Sequence, residues 1–354
     1  MSITRRDFIK SSLVFGASIL LRDTALLNAT PKVQTPNPAY ALLEAEGKLA
    51  KRVEEAYAIF EQCELCPRQC GVNRLEGEKG FCRAPARVMV YVDQPHFGEE
   101  KSLVGKGGSG TIFFSNCNLR CVFCQNWPIA HKGHGRGLPD EKLAQMMLRL
   151  QKIGCHNINL VTPTHVMPNI LSATRIAYKE GLRIPLVYNT SGYERAEIIK
   201  LLDGIIDIYL PDMKFMDAAH AGKYSGGASD YPEITKAAIL EMHRQVGLHQ
   251  VDDRGVATRG VMIRHLVMPN RVAGTEKFVK WMAESLPNST YVNIMAQYHP
   301  EFEAFDYPKI WRRINVQEFL EAMQWALDSG LTNLDQDSVK LMRFYSNANK
   351  KSQP

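Results

Sequence analysis

Residues 107–128 read GGSGTIFFSNCNLRCVFCQNWP, and the predicted fold is organised around them. Four small residues open the stretch, and the β-branched and aromatic run at 111–114 predicts a short buried strand. Three cysteines follow at once, Cys117, Cys121 and Cys124, with the spacing C-x3-C-x2-C. They lie on the loop that leaves the carboxyl end of the strand, which is where α/β folds usually carry their chemistry.

Three thiolates are one ligand short of closing a tetrahedral zinc site, or of ligating every iron of a cubane cluster. One corner of the metal centre would therefore stay open. The compact loop suits a 4Fe-4S cluster whose fourth iron binds something other than protein. Two other interpretations are a zinc knuckle that borrows a distant fourth ligand and a set of three unrelated buried thiols.

The aromatic Phe123 stands directly before the last cysteine, so the motif is C-x3-C-x-Φ-C. This motif resembles the signature of the radical S-adenosylmethionine (radical SAM) superfamily. The resemblance implies that the open iron chelates the amino and carboxylate groups of SAM, and that Phe123 packs beside the adenine. It also implies reductive cleavage of SAM to methionine and a 5'-deoxyadenosyl radical, which abstracts hydrogen from a substrate.

The composition is that of an ordinary soluble protein. Of 354 residues, 45% are hydrophobic and 23% are charged, and the net charge is +6. This charge is too small to indicate nucleic-acid binding without a localised basic patch, so no nucleic-acid partner is predicted. The longest apolar run near the amino terminus, residues 13–21, is too short to span a bilayer, so no integral membrane span is predicted.

Seven of the eight cysteines fall into two groups, which is how metal ligands are arranged. The first group has the spacing C-x2-C-x3-C-x11-C and consists of Cys63, Cys66, Cys70 and Cys82. Four soft ligands could close a structural zinc site or hold a second iron-sulfur cluster, and two disulfides are a third possibility in an oxidising compartment. The lone Cys155 is expected to be a small buried hydrophobe.

Strand and helix patterns alternate from residue 110 onward and predict a parallel sheet that curls toward a barrel. Predicted strands are 111–115, 157–161, 185–189, 206–210, 261–267 and 291–296. Predicted helices are 41–60, 141–153, 169–180, 194–202, 232–246 and 275–285, with closing helices at 316–328 and 335–349. The fold class is therefore α/β, a partial (β/α)6 barrel, which the radical SAM resemblance also implies, with an amino-terminal cysteine-rich module.

Two predicted strands end in polar residues that the resemblance connects with SAM. Thr162 and Thr164 follow the second strand, where related enzymes carry a glycine-glycine-glutamate turn for the SAM amino group, so their hydroxyls would take its place. After the third strand, the segment with Asn189 and Ser191 resembles the Asp-Thr-Asn-Gly turn of glycyl-radical-enzyme activating enzymes.

Three further strand ends extend the same resemblance. Asp212 and Lys214 match an Asp-x-Lys motif, which implies that Asp212 lies near a cation or the SAM methionine and Lys214 near the SAM carboxylate or ribose. Arg264 begins a segment similar to Arg-x-x-Val-x-Pro-Gly, with Asn270 in place of the glycine, and is a candidate for a bidentate contact to the SAM carboxylate. His299 ends a segment similar to Pro-Tyr-His and would line the SAM pocket.

The amino terminus, with Arg5 and Arg6 before an apolar run, resembles a twin-arginine export signal. We therefore predict four parts: a signal-like segment at 1–30, a linker, helix and cysteine-rich metal module at 31–105, a radical SAM core at 106–305 and a helical extension at 306–354. Export to the periplasm is the predicted localisation, with the cytoplasm, where SAM and low-potential electrons are supplied, as the alternative.

The cysteine module followed by this core resembles the X branch of the homologues of pyruvate formate-lyase activating enzyme. The resemblance implies a radical SAM oxidoreductase that takes electrons from a flavodoxin- or ferredoxin-like donor and activates a glycyl-radical-type partner protein. Radical modification of another peptide or small molecule is one alternative. An exported iron-sulfur protein that transfers electrons on a degenerate radical SAM scaffold is another.

Overall fold

The computed structural model describes residues 37–351, and the predicted signal at 1–30 lies outside them and stays a prediction. Within the described residues, nine strands form one sheet. The strands are β1 (Val88–His96), β2 (Ser109–Phe114), β3 (Arg136–Leu138), β4 (Ile158–Val161), β5 (Leu186–Thr190), β6 (Ile208–Pro211), β7 (Gln250–Val251), β8 (Ala257–Leu266) and β9 (Tyr291–Met295).

Six strands are parallel and stand side by side in the order β2, β4, β5, β6, β8 and β9. They are the six strands predicted from the sequence, so the prediction of a partial (β/α)6 barrel is confirmed. Every residue of β5 is buried, as expected for a parallel strand that is covered on both faces. The carboxyl ends of the six strands share one edge of the sheet, and the loops that follow them meet there.

Twelve helices lie within the described residues. They are α1 (Ala39–Ala45), α2 (Lys48–Ala58), α3 (Lys101–Val104), α4 (Trp127–Ala130), α5 (Asp140–Lys152), α6 (Met167–Lys179), α7 (Ala196–Lys200), α8 (Ala218–Tyr224), α9 (Tyr231–Val246), α10 (Thr275–Ser285), α11 (Val316–Asp328) and α12 (Gln336–Lys351). Helices α5, α6, α9 and α10 each follow a predicted helical run to within two residues at either end.

The single helix predicted at 41–60 is wrong in one respect, because the chain forms α1 and α2 there instead. Gly47 separates them in a left-handed conformation, with φ of 70°. A residue with positive φ cannot continue a right-handed helix, and glycine adopts this conformation without a steric penalty. The apolar stripe that suggested one helix is still buried in part, since Leu49 and Ala56 face the core.

Three antiparallel strands were not predicted. β1 pairs with β2 and β3, and β7 pairs with β8. β1 is apolar only in its first half and contains Pro95, which breaks the signal of a strand. β7 has two residues, too few for any periodicity. The predicted domain boundaries were not tested and stay predictions, although β1 of the predicted cysteine module belongs to the sheet of the predicted core.

Helices cover the sheet with apolar faces that recur at helical spacing. Leu143, Met147 and Leu150 of α5 are fully buried, at positions i, i+4 and i+7. At the other end of the chain, α11 begins at a capping box in which Asn315 and Glu318 each accept a hydrogen bond from the other's backbone amide. No helix in residues 37–351 is long and apolar enough to cross a membrane.

Candidate functional site

The loop after β2 carries the three cysteines of the predicted cluster site. Two of its residues have positive φ, Asn116 at 77° and Arg120 at 51°. Asparagine tolerates this conformation better than most residues, while an arginine there is uncommon and depends on the surrounding structure. The two reversals curl the loop tightly, and Cys117, Cys121 and Cys124 all line one cavity of about 260 Å³ at the carboxyl edge of the sheet.

The three thiols differ in their surroundings. Cys121 lies 3.2 Å from the Ser225 hydroxyl oxygen, and the Leu119 amide donates a hydrogen bond of 3.3 Å to the sulfur of Cys117. Burial raises the pKa of Cys121 to about 11 and that of Cys124 to about 12. A bound metal would hold such thiols as thiolates, because metal coordination displaces the proton.

Opposite charges form one wall of this cavity. Lys214 Nζ donates to Asp212 Oδ2 at 2.6 Å, and Arg264 Nε donates to Asp212 Oδ1 at 2.8 Å. Burial alone would raise the pKa of Asp212, but the charges of Arg264 and Lys214 outweigh it and hold that pKa below its usual value. Burial alone would lower the pKa of Lys214, but Asp212 outweighs it in turn, so both groups are charged at neutral pH.

Arg264 has more protein partners than the sequence predicted. Besides Asp212, its Nη1 donates to Glu99 Oε2 at 3.2 Å and its Nη2 donates to Asn189 Oδ1 at 2.7 Å. Three of its five N–H donors are therefore engaged by the protein itself. The predicted bidentate contact to a SAM carboxylate has to use the remaining donors, and Arg264 fixes Asp212 and Asn189 in place at the same time.

Sequence reasoning missed Glu99 and Glu100, which precede α3 and enter the interior of the barrel. Glu99 contacts Arg264, and Glu100 accepts a hydrogen bond of 3.0 Å from Asn293 of β9. Burial raises the pKa of Glu100 despite the nearby Arg264 charge. In the sequence, the run Gly-Glu-Glu-Lys reads as an exposed turn, and only the tertiary structure turns it inward.

Aromatic rings form a second wall. Phe123 is buried and lines the cavity, with its ring centroid 5.9 Å from that of Phe215 and 6.0 Å from that of Tyr298. The Tyr298 hydroxyl donates to the Ile310 carbonyl, and neither residue lines the cavity. This arrangement leaves Phe123 as an apolar surface next to the thiols, on which a flat heterocycle could pack.

Two more predicted residues line the cavity, and both have unusual features. Thr162 has φ of 60°, which is an outlier for a β-branched residue and stores strain of about 1–3 kcal/mol. The Ser191 hydroxyl is buried without a hydrogen-bond partner. A buried polar atom normally has a partner, so the orphaned hydroxyl indicates a polar ligand in the cavity.

Two predicted SAM contacts, Thr164 and His299, lie elsewhere. The Thr164 hydroxyl donates to the buried Glu194 at 2.5 Å, because the helical turn after Pro163 points it into the core. His299 stands outside the cavity lining, with Nδ1 3.3 Å from Gln125 Nε2 and Nε2 3.9 Å from Glu301. Gln125 itself lines the cavity and was missed, since nothing in its sequence context marks it.

All eight cysteines are free thiols, so the disulfide interpretation of the first group is not what the structure contains. Cys63, Cys66 and Cys82 are buried, and Cys70 is partly exposed. Within residues 37–351, no three His, Cys, Asp or Glu side chains are already gathered as a metal site. This holds for both cysteine groups alike, so it does not distinguish between them.

Comparison with known proteins identifies the family. The family model described as the radical SAM superfamily matches residues 111–218, which include the three cysteines and the pair of Asp212 and Lys214. The uncharacterized protein MJ0674 of Methanocaldococcus jannaschii is 35% identical over 284 residues, which cover 78% of this chain and 77% of the relative. This chain belongs to the radical SAM superfamily.

Other matches are more distant. The uncharacterized protein MJ0808 of the same organism is 21% identical over 70% of this radical SAM chain and 73% of its own. Two solved structures are similar at 13% identity and TM-scores of 0.39. They are TYW1 with a lysine-pyruvate adduct, over 62% of this chain and 73% of its own, and methylornithine synthase (PylB), over 84% and 80%.

As a member of the radical SAM superfamily, the chain uses a 4Fe-4S cluster and SAM. The residues present fit both groups. Three thiols on one cavity wall leave a cubane cluster with one iron free of protein ligands, and Cys117, Cys121 and Cys124 would hold it. The orphaned Ser191 hydroxyl and the opposite charges of Asp212 and Lys214 suit a zwitterionic ligand beside that iron.

Proposed function

We propose that this radical SAM chain is an oxidoreductase that cleaves SAM reductively and directs the resulting radical to a glycine of a partner protein. The observation that carries the first half is the shared cavity. Three cluster thiols, the ion pair of Asp212 and Lys214, and the buried ring of Phe123 all line the same 260 Å³ space.

The side chains have distinct roles in this proposal. Lys214 faces the carboxylate of the methionine moiety, because it retains donors beyond the one that binds Asp212. Asp212 faces the ammonium group, and Arg264 orients Asp212 while offering its remaining donors to the carboxylate. When bound, the cluster supplies the electron that breaks the sulfonium carbon-sulfur bond and releases the 5'-deoxyadenosyl radical.

The glycine substrate is supported by the resemblance to activating enzymes, and one structural detail strengthens it. Asn270 stands where those enzymes have glycine in the segment Arg-x-x-Val-x-Pro-Gly. Its φ of 59° lies in the left-handed region that glycine favours, and asparagine is the residue that best tolerates this region after glycine. The substitution therefore preserves the backbone turn, and the departure from the motif is conservative.

The alternative of a pure electron carrier is less consistent with the site. A protein that only transfers electrons gains nothing from burying two cations and an aspartate beside the cluster, because buried charges cost free energy unless they serve an interaction. A protein that only transfers electrons would also not need the strained Thr162 or the unpartnered Ser191 hydroxyl in the lining of the cavity.

The proposal includes a low-potential donor of the flavodoxin or ferredoxin type, since cleavage of SAM consumes one electron. It also includes export, for which the support is Arg5 and Arg6 before an apolar run in the sequence. The alternative is residence in the cytoplasm, where reductant and SAM are made. Fractionation of cells that produce the full chain, with Arg5→Lys/Arg6→Lys as the comparison, tests the localisation.

The catalytic proposal is tested anaerobically. The full chain is reconstituted with iron and sulfide, and SAM and dithionite are added, with 5'-deoxyadenosine as the product to be measured. We expect product from the wild type and from Cys155→Ala, which removes a thiol outside both groups, and none from Cys117→Ala. Absence of product from a wild type with a full cluster would overturn the proposal.

The substrate half has its own measurement. Peptides that carry α-dideuterated glycine are added, and deuterium in 5'-deoxyadenosine is measured by mass spectrometry. Deuterium transfer that depends on glycine would support a glycyl-radical role. Cleavage of SAM without any transfer from glycine peptides or from a whole glycyl-radical enzyme would favour another peptide or a small molecule as substrate.

A further inference from the structure

The cysteine module at residues 63–82 contains four thiols that the SAM cavity does not use. Cys63, Cys66 and Cys82 are each less than one tenth exposed. Cys70 is partly exposed. Cys63 lies near both Cys66 and Cys82, and Cys70 lies near Cys82, in each case close enough for their charges to interact.

The backbone of the module folds back on itself between Cys63 and Val72. Cys63 pairs with the returning chain through its amide, which donates to the Val72 carbonyl at 2.9 Å, and its carbonyl, which accepts from Gly71 at 3.1 Å. The segment between them reverses at Gln69, which has φ of 40° and donates its amide to the Cys66 carbonyl. This reversal belongs to no helix or strand.

The fourth ligand arrives on a segment that is fitted to the sulfur of Cys70. The Phe81 amide donates a hydrogen bond of 3.3 Å to Cys70 Sγ. A Cβ atom on Gly80 would stand 2.6 Å from the same sulfur, so any other residue at this position requires Cys70 to move. An N–H directed at sulfur and a glycine that makes room for it are features of metal-bound thiolates, whose charge such hydrogen bonds stabilise.

The module is also joined to the loop of the SAM cluster. Asn116 Nδ2 donates to the Cys82 carbonyl at 3.0 Å, and Arg68 Nε donates to the Asn118 carbonyl at 3.0 Å. Asn116 and Asn118 are the two neighbours of Cys117. The position of a cluster ligand therefore depends on contacts whose other ends lie beside Cys66 and at Cys82.

We propose that Cys63, Cys66, Cys70 and Cys82 bind a second metal centre, a Zn²⁺ ion or an iron-sulfur cluster. This centre holds the module against the loop of Cys117. Three buried thiols and a partly exposed fourth, with no catalytic cavity of their own, are otherwise a poor core, because reactive sulfur offers no packing advantage over Val or Leu. Thiolate ligation accounts for the spacing, the turns, Gly80 and the N–H donor to Cys70 together.

The test uses the full chain without its SAM cluster, so that its outcome is independent of SAM cleavage. In Cys117→Ala/Cys121→Ala/Cys124→Ala, purified anaerobically, zinc, iron and acid-labile sulfide are measured. We expect roughly one zinc per chain, or about four irons with matching sulfide. Either result supports the proposal and identifies the metal. A folded protein that neither retains nor takes up zinc or iron overturns it.

Matched substitutions assign the ligands. Adding Cys63→Ser/Cys66→Ser to the triple variant is expected to remove the metal, and adding Cys155→Ser is expected to leave it. Metal that survives the first change would contradict the assignment. Because a metal-free module could misfold, a second measurement uses the triple variant itself. Titration with a mercurial reagent should release the metal as about four thiolates react, and release that is complete after fewer than four would also overturn the proposal.

The second part of the proposal, that the metal centre holds the module against the loop of Cys117, has its own measurement in the otherwise wild-type chain. The iron held by Cys117, Cys121 and Cys124 after gel filtration is taken as the difference between a chain and the same chain with the triple substitution. Cys82→Ser is expected to lower this iron at least ~twofold, whereas Cys155→Ser leaves it unchanged. Unchanged retention of that iron would leave a metal site without this role and overturn this part of the proposal.

Discussion

The two cysteine groups differ in what surrounds their thiols. Cys117, Cys121 and Cys124 face a cavity whose opposite wall carries Asp212 and Lys214. The first group is enclosed by its own chain reversals and has Arg68 stacked on the Phe81 ring, 3.9 Å from its centroid. One group leaves room for a ligand and supplies charges that recognise it. The other group uses its neighbours for packing and for contacts to the first.

This contrast indicates that one cysteine group serves a reaction and the other stabilises the structure of the same chain. Three cysteines with an open cavity are the arrangement of a site that exchanges ligands, and four cysteines without one are the arrangement of a closed structural centre. The basic side chains near the two cysteine groups differ in the same way. Lys214 and Arg264 keep donors directed toward the cavity, whereas Arg68 and Arg74 are committed to backbone carbonyls, including that of His165 in the segment after β4.

We call Cys117, Cys121 and Cys124 the open group, and Cys63, Cys66, Cys70 and Cys82 the closed group. The largest effect should come from removing one thiol of the open group. Cys121→Ala is expected to abolish formation of 5'-deoxyadenosine, by at least ~1,000-fold, because a cluster held by two thiolates does not present one free iron. Cys70→Ala in the closed group is expected to retain measurable product in chains that still hold the SAM cluster. Equal loss in both variants, at equal cluster content, would remove the distinction between the two groups.

Arg264→Lys should have the next largest effect, because lysine keeps the charge but loses the planar fork that reaches Asp212, Asn189 and Glu99. We expect SAM to bind roughly tenfold more weakly and the folded state to lose about 2 kcal/mol. Equilibrium binding of SAM to the reconstituted protein and thermal unfolding measure the two effects.

Arg271→Lys is the matched control. Arg271 makes a two-pronged contact to Glu321 on the surface, with 64% of its side chain exposed, so the same substitution should change neither SAM binding nor Tm. If Arg264→Lys binds SAM like the wild type, the guanidinium of Arg264 stabilises the fold without contributing to SAM binding.

Much of the fold could be predicted because parallel strands that are buried on both faces produce continuous apolar runs. The six core strands stand out in this way, and Asp212 and Arg264 follow from their position at strand ends. β1 was not predicted, because its second half is polar and Pro95 interrupts it. Gly47, which splits the predicted first helix, is a single residue inside a strong helical pattern.

The site was predictable where chemistry is carried by residue type and not where it depends on burial. The cysteines carry their own signal, and Lys214 was marked by its motif. Glu99 and Glu100 look like a surface pair until the chain turns them into the barrel. Thr164 shows the opposite error, because the short helical turn after β4 directs its hydroxyl to Glu194 and away from the cavity.

Glu194 is fully buried, within electrostatic reach of Cys66 in the first cysteine group. Its carboxylate accepts hydrogen bonds from Thr164 and Thr190, and its charge acts on Cys66. Burial raises its pKa to about 7, against which those hydrogen bonds act. Between pH 4.5 and 7 the folded state therefore holds a proton that the unfolded state has lost, so stability falls as the pH rises through this window.

Glu194→Gln keeps the acceptor oxygen and removes the titration. The Tm of the variant relative to the wild type should therefore rise from pH 4.5 to pH 7.5, by the equivalent of up to about 3 kcal/mol. Glu233→Gln is the control, since 79% of that side chain is exposed, and its difference from the wild type should stay small at both pH values. A flat difference for Glu194→Gln would contradict the assigned titration.

The smallest effect is expected at Gly80, where one methyl group tests how closely the closed group is fitted. In Gly80→Ala the new Cβ would stand 2.6 Å from Cys70 Sγ and 2.7 Å from its Cβ, so Cys70 must move. Overpacking of this kind costs about 1–3 kcal/mol. Tm should fall by a few degrees, with partial loss of metal from the module and retention of the SAM cluster.

Gly222→Ala is the control. Its Cβ would find its nearest neighbour at 3.3 Å, so it should have little effect on either metal content or Tm. If Gly80→Ala matches the wild type in both, the module is looser than its contacts indicate, and the difference between an open and a closed cysteine group would lose its structural basis.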